Sequence, residues 1–149
     1  MKSDFNPYSR KALNYLLKED FGSFYRRSYQ HLHNNRQFHH NWHIDAISEF
    51  LTGMRMGQFK RGNINISPRW GKTLQCSVAF PMWWLGDNPW MNIICASFSA
   101  ELSAEIHGKC RTLANASWYR SAFPEFSIKT TSEDAIDKAA TKNTQKQFI

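Results

Sequence analysis

The chain has 149 residues, 42% hydrophobic and 15% aromatic, a balance that excludes a disordered polar chain and allows one domain, or part of one, with a real core. Nineteen basic side chains against twelve acidic ones give +7, which favours a polyanionic partner but is weak support for nucleic acid by itself. No apolar run reaches the roughly 18 to 20 residues of a spanning helix, no secretion signal is visible in "MKSDFNPYSRKAL", and Cys76, Cys95 and Cys110 lack C-x-x-C spacing, so the reading is a soluble intracellular protein, with no membrane partner and reduced structural thiols.

Residues 1–60 read as an N-terminal helical segment. Leu13, Leu16 and Leu17 stand at helical spacing, and Phe21, Phe24, Tyr25 and Tyr29 then crowd around Arg26 and Arg27. That aromatic and basic mixture suits packing of an amphipathic helix or stacking on bases, with packing preferred. Asn41 caps a second helix that carries Ile44, Ile47, Phe50, Leu51 and Met54 on one stripe, with Gly53 and Gly57 at its frayed end.

From Gly62 the period changes. "NINIS", residues Asn63 to Ser67, alternates like a short buried strand and is stopped by Pro68. "GKTLQCSVAFPMWWLG" places Leu74, Val78, Met82 and Leu85 on one helical face, although Pro81 should kink or break it. "MNIICAS" reads as a second strand over Met91 to Ala96. Behind a Ser99 cap, Leu102, Ile106, Cys110 and Leu113 then recur at helical spacing. Two strands around a crossover helix make a βαβ unit. The expected fold class is therefore α/β, an incomplete P-loop NTPase-like parallel sheet over residues 61–149, with a further strand start at Gln147.

Between the first strand and its helix lies "ISPRWGKT", residues Ile66 to Thr73. Its ending, Gly71-Lys72-Thr73, is that of a phosphate-binding, Walker A type loop, although Ile66 stands where the usual leading glycine would be. In such a loop, backbone N–H groups curl around phosphates at a helix start, a lysine takes the β/γ-phosphates and a hydroxyl takes Mg²⁺. Gly71 would admit the close approach, Lys72 would carry the charge, and Thr73 would be the metal residue.

The stretch from Ile64 to Ser103 resembles the large-subunit terminases of tailed bacteriophages, the ATP-driven motors that package DNA. In that family the loop commonly lacks the leading glycine and carries an internal arginine, as Ser67-Pro68-Arg69-Trp70-Gly71-Lys72-Thr73 does here. Phe80-Pro81, Trp84-Leu85-Gly86, Asn88-Pro89, Ala96-Ser97, Phe123-Pro124 and the upstream "NWHIDAISEFL" are similar too, so the resemblance covers roughly Asn41 to Ile149. It implies ATP and Mg²⁺ as cofactors, Arg69 as a γ-phosphate sensor, and double-stranded phage DNA with portal and other terminase subunits as partners. The implied location is the cytoplasm of a bacterial host.

Hydrolysis needs a Walker B aspartate at the end of a buried strand and a carboxylate that activates water. After Lys72 the acidic residues are Asp87, Glu101, Glu105, Glu125, Glu133, Asp134 and Asp137, and none follows four consecutive apolar residues. The expectation is an ATP-binding front part of a terminase large subunit, truncated before Walker B and the nuclease domain, with no catalytic residue of its own. The alternative, from another class, is a basic nucleic-acid-binding or assembly fragment that holds no nucleotide. His31 with His33 and His39 with His43 invite a metal reading, but no cysteine or paired acidic ligand stands at zinc spacing, so solvated or hydrogen-bonded histidines are expected.

Overall fold

Helices supply every regular element among residues 7–126, the part of the chain that the computed structural model describes. Helix α1 spans Pro7–Glu19, α2 Phe21–Leu32 and α3 Trp42–Arg55. A π-helical segment, Thr73–Ala79, passes directly into α4, Phe80–Asp87; α5 covers Ala100–Asn115 and α6 Ser117–Ala122. Local chemistry sets the boundaries. Asp20 separates α1 from α2 and accepts from Ser23 N at 2.7 Å, Asn41 accepts from Trp42 N at 2.8 Å, and Ser99 accepts from Leu102 N at 3.1 Å, each meeting a backbone donor that a helix start leaves unpaired.

The expected parallel sheet is absent from the described residues. Among the described residues no strand pairs with another, and the P-loop NTPase-like α/β class is replaced by an all-helical arrangement. Residues 61–67 and 91–97 have no regular secondary structure. Alternation describes only how side chains face, whereas a strand exists through ladder hydrogen bonds to a neighbour. Ile64 and Ile66 do turn inward, but onto the helical core, while Ile93 turns inward and Ile94 stands 93% exposed. The strand start expected at Gln147 lies outside the described residues.

Helix α2 is the centre of the packing and touches α1, α3, α4, α5 and the π-helical segment. Its Phe21 meets Phe80 and Trp83 at ring separations of 5.7 and 5.1 Å, and Phe24 meets Trp118, Tyr119 and Phe123. The aromatics clustered around Arg26 and Arg27 thus pack against helices, and the two arginines lie over Phe38 and Trp118 at the rim. Core residues come from both sides of position 60. No helix of the described residues is long and apolar enough to cross a membrane.

Pro81 does not break its helix. In regular α register it would leave Ser77 O without a donor and press its ring on that carbonyl; here the preceding turns widen to i→i−5 bonding, with Phe80 N donating to Gln75 O. Cys95 and Cys110 direct their sulfurs at Ser77 O from 3.9 and 4.0 Å, weak donors in place of the missing N–H. Burial pushes the Cys110 thiol up to about 11 and that of Cys95 upward as well, so both remain protonated donors at neutral pH.

At the far end, Tyr119 is wholly buried and donates its hydroxyl to Met82 O at 2.7 Å, which ties α6 to α4. Tyr119→Phe keeps the ring and removes this bond. The expected loss is about 1 kcal/mol, read as a lowered urea midpoint at unchanged slope; an unchanged midpoint would mean the bond contributes nothing net.

Candidate functional site

The loop ahead of the π-helical segment is built from two residues with left-handed backbone, Arg69 at φ 67° and Gly71 at φ 79°. For arginine that conformation is strained by about 1 kcal/mol or more; for glycine it is free. Gly71 also has no room for a side chain, because a Cβ there would lie 2.9 Å from the Tyr25 hydroxyl. Burial above all, then Tyr29 and Cys76, pushes the Tyr25 phenol up to about 12, so a neutral O–H lies behind the glycine at any ordinary pH.

Lys72 is half-buried and folds back across the turn, its Nζ donating to Ile66 O at 3.1 Å. Its charge is thereby held over the loop rather than thrown out into solvent. Thr73 is exposed at the start of the helix, and Gln75 N closes the first turn on Gly71 O at 3.0 Å. Ser67, Pro68, Arg69 and Trp70 are also exposed. All seven residues singled out in the sequence therefore form one continuous surface turn that leads into a helix, without a sheet behind it.

Beside this turn opens a cleft of about 340 Å³ between α2, α3 and the loop. One wall is Tyr25, Tyr29 and Phe38; the opposite side carries Asn41, His43 and Ile44 from the start of α3; Arg69, Trp70 and Gly71 form the edge. The His43 ring lies 4.8 Å from Trp70, and its buried Nδ1 has no hydrogen-bond partner. None of the cleft's described lining residues is acidic, which suits an anionic ligand. A larger groove of about 730 Å³ runs between α4, α5 and residues 93–95, lined mainly by Pro81, Met82, Leu85, Ile93 and Ile106. It brings no cationic loop to its walls, so the smaller cleft is the better candidate for a charged ligand.

The histidines divide. His39, His40 and His43 line the cleft, and His40 Nε2 pairs with Asp45 Oδ2 at 2.9 Å. His33 stacks on Tyr29, and its imidazole is held below its usual range by burial first, then by Lys109 and Arg36. Among the described residues no group of three or more potential ligands is placed to hold a metal ion. A single threonine hydroxyl is no protein cage, but magnesium in nucleotide sites keeps most of its waters and the phosphates as ligands, and an exposed Thr73 next to Lys72 is compatible with that arrangement.

Sequence reasoning missed the cleft. The pattern places Tyr25 among aromatics that pack a helix or stack on bases, with packing preferred, and His43 among solvated or hydrogen-bonded histidines; only their shared proximity to Gly71 and Trp70 brings them together at the cleft. Gln75 carried no signal beyond being a polar residue on an otherwise apolar helical stretch. Compared with known proteins, the chain matches no family model, no curated protein and no solved structure.

Proposed function

We propose that the turn Ser67–Thr73 binds the phosphates of Mg-ATP, and that the chain is the ATP-binding part of a DNA-packaging motor of the terminase large-subunit kind. The observation that carries the first half is Lys72, whose ammonium is held on Ile66 O at 3.1 Å over a turn with two left-handed residues. A lysine tethered by one weak neutral acceptor gains by exchanging it for phosphate oxygens. Lys72 would face the β- and γ-phosphates, Thr73 would offer its hydroxyl to Mg²⁺, and Arg69 at the cleft edge would meet the γ-phosphate. Bound there, Mg²⁺ supplies charge neutralisation between the phosphates.

The adjoining cleft supports a base on the same ligand. Its aromatic wall and the His43–Trp70 pair offer planar faces for stacking, and the amide nitrogen of the exposed Asn41, whose Oδ1 caps α3, offers a polar contact for an edge. The motor half of the proposal rests on the motif resemblance from Asn41 onward and on the +7 charge, with double-stranded DNA, portal and other terminase subunits as the partners it implies. None of the described residues lining the cleft is acidic, so the proposal for the described part is nucleotide binding and includes no hydrolytic step.

Calorimetric titration with Mg-ATP and, separately, with inorganic triphosphate tests the reading. Saturable binding of both, tighter for ATP, is expected. Absence of either interaction, together with salt-sensitive binding of duplex DNA that ATP does not alter, would replace it with a basic nucleic-acid-binding role.

A further inference from the structure

We infer that Gln75 is a positioning residue that sets the base cleft against the phosphate turn, and so determines how much of the affinity comes from the base; the inference rests on the nucleotide reading above. The two sides of the site belong to different elements. Asn41, His43 and Ile44 come from the start of α3, whereas Arg69, Trp70 and Gly71 come from the loop, which continues through Lys72 and Thr73 into the helix of Gln75. Gln75 stands two residues after Thr73 and is fully buried. Its Nε2 donates to Ile44 O and to Ser48 Oγ, both at 2.9 Å, which fastens the first turn of the phosphate helix to the first turns of α3. Outside the core, His43 also meets Trp70, which is 44% exposed.

Stability alone does not account for this side chain. Gln75 Oε1 is buried without a partner, a destabilising feature in a core. An apolar residue of similar size would remove the orphan atom, and nothing else would be left unpaired: Ser48 can return its hydroxyl to Ile44 O four residues earlier on the same helix. A polar group kept at such a cost fixes geometry rather than adding stability. With the tie intact, a base held between His43 and Phe38 and a phosphate held by Lys72 lie at one fixed separation, and a ligand that spans both gains from each without ordering the protein.

The test compares wild type with Gln75→Leu by titration with Mg-ATP and with inorganic triphosphate, alongside thermal melts. Expected are an affinity for ATP lower by about tenfold, an affinity for triphosphate changed by less than about twofold, and a melting temperature equal to or above that of wild type. Equal weakening of both ligands would show that Gln75 merely shapes the phosphate turn and would overturn the inference, as would unchanged ATP affinity. Ser48→Ala, which removes one acceptor of the tie, should show the same split at smaller size, and it decides the matter if Gln75→Leu does not fold. Wild type that binds neither ligand refutes the loop reading itself; wild type that binds both, with both variants indistinguishable from it, refutes only the role of Gln75.

Discussion

Lys72→Ala is expected to remove Mg-ATP binding while leaving the fold in place. The substitution deletes the one ammonium held over the turn, and a charge-assisted hydrogen bond to phosphate contributes about 1.5–3 kcal/mol. A lysine that meets two phosphates therefore accounts for a fall in affinity on the order of 100-fold or more. The structural cost is small. Lys72 makes a single part-buried bond to Ile66 O, and alanine is the best helix former for the start of the helix that follows. Lys72→Arg keeps the charge but lengthens and flattens the donor, so intermediate binding is expected. Calorimetric titration of the three proteins under one salt condition checks this, with melting curves as the control for folding. Equal affinity of wild type and Lys72→Ala would rule out this turn as the phosphate site.

Trp83→Ala should give the largest loss of stability of any single change. The ring is 2% exposed, lies 5.1 Å from Phe21, and has the Arg55 guanidinium 4.0 Å above it, which in turn pairs with Asp87. Its Nε1 donates to Leu17 O at 3.1 Å and Lys18 O at 2.9 Å, two of the carbonyls that the end of α1 leaves unpaired. Truncation opens a cavity at about 3–5 kcal/mol and uncaps α1 in addition, so a loss of roughly 4–6 kcal/mol is expected. Against a typical total of about 5–15 kcal/mol, the variant should be close to unfolded at ambient temperature. Trp83→Phe restores most of the packing but not the donor and should lose about 1–2 kcal/mol. Urea titration followed by far-ultraviolet circular dichroism separates the three; a midpoint for Trp83→Ala close to that of wild type would show that α1 is not fastened through this residue.

What the sequence determined by itself is local. The caps at Asn41 and Ser99 and the apolar stripes Ile44–Ile47–Leu51 and Ile106–Cys110–Leu113 depend on neighbours within a few residues, and each is found where the pattern put it. Tertiary structure decided the remainder, because it depends on partners distant in the chain. Asn63 to Ser67 and Met91 to Ala96 have the alternation or apolar content of strands, but among the described residues neither forms a ladder with another segment, and they run as irregular stretches beside helices. Pro81 was expected to kink or break a helix; the helix runs on through it with its register changed, a wider π-helical turn standing before it and two cysteines from elsewhere in the chain facing Ser77 O. The cleft is the clearest case. The expected phosphate loop is a pattern of three consecutive residues, whereas the cleft beside it requires Tyr25, His43 and Trp70 to converge from three separate elements, and the bonds of Gln75 to Ile44 and Ser48 span 31 and 27 positions. No periodicity within one element encodes such a convergence, since it arises only when α2, α3 and the π-helical segment bury their apolar faces on one another.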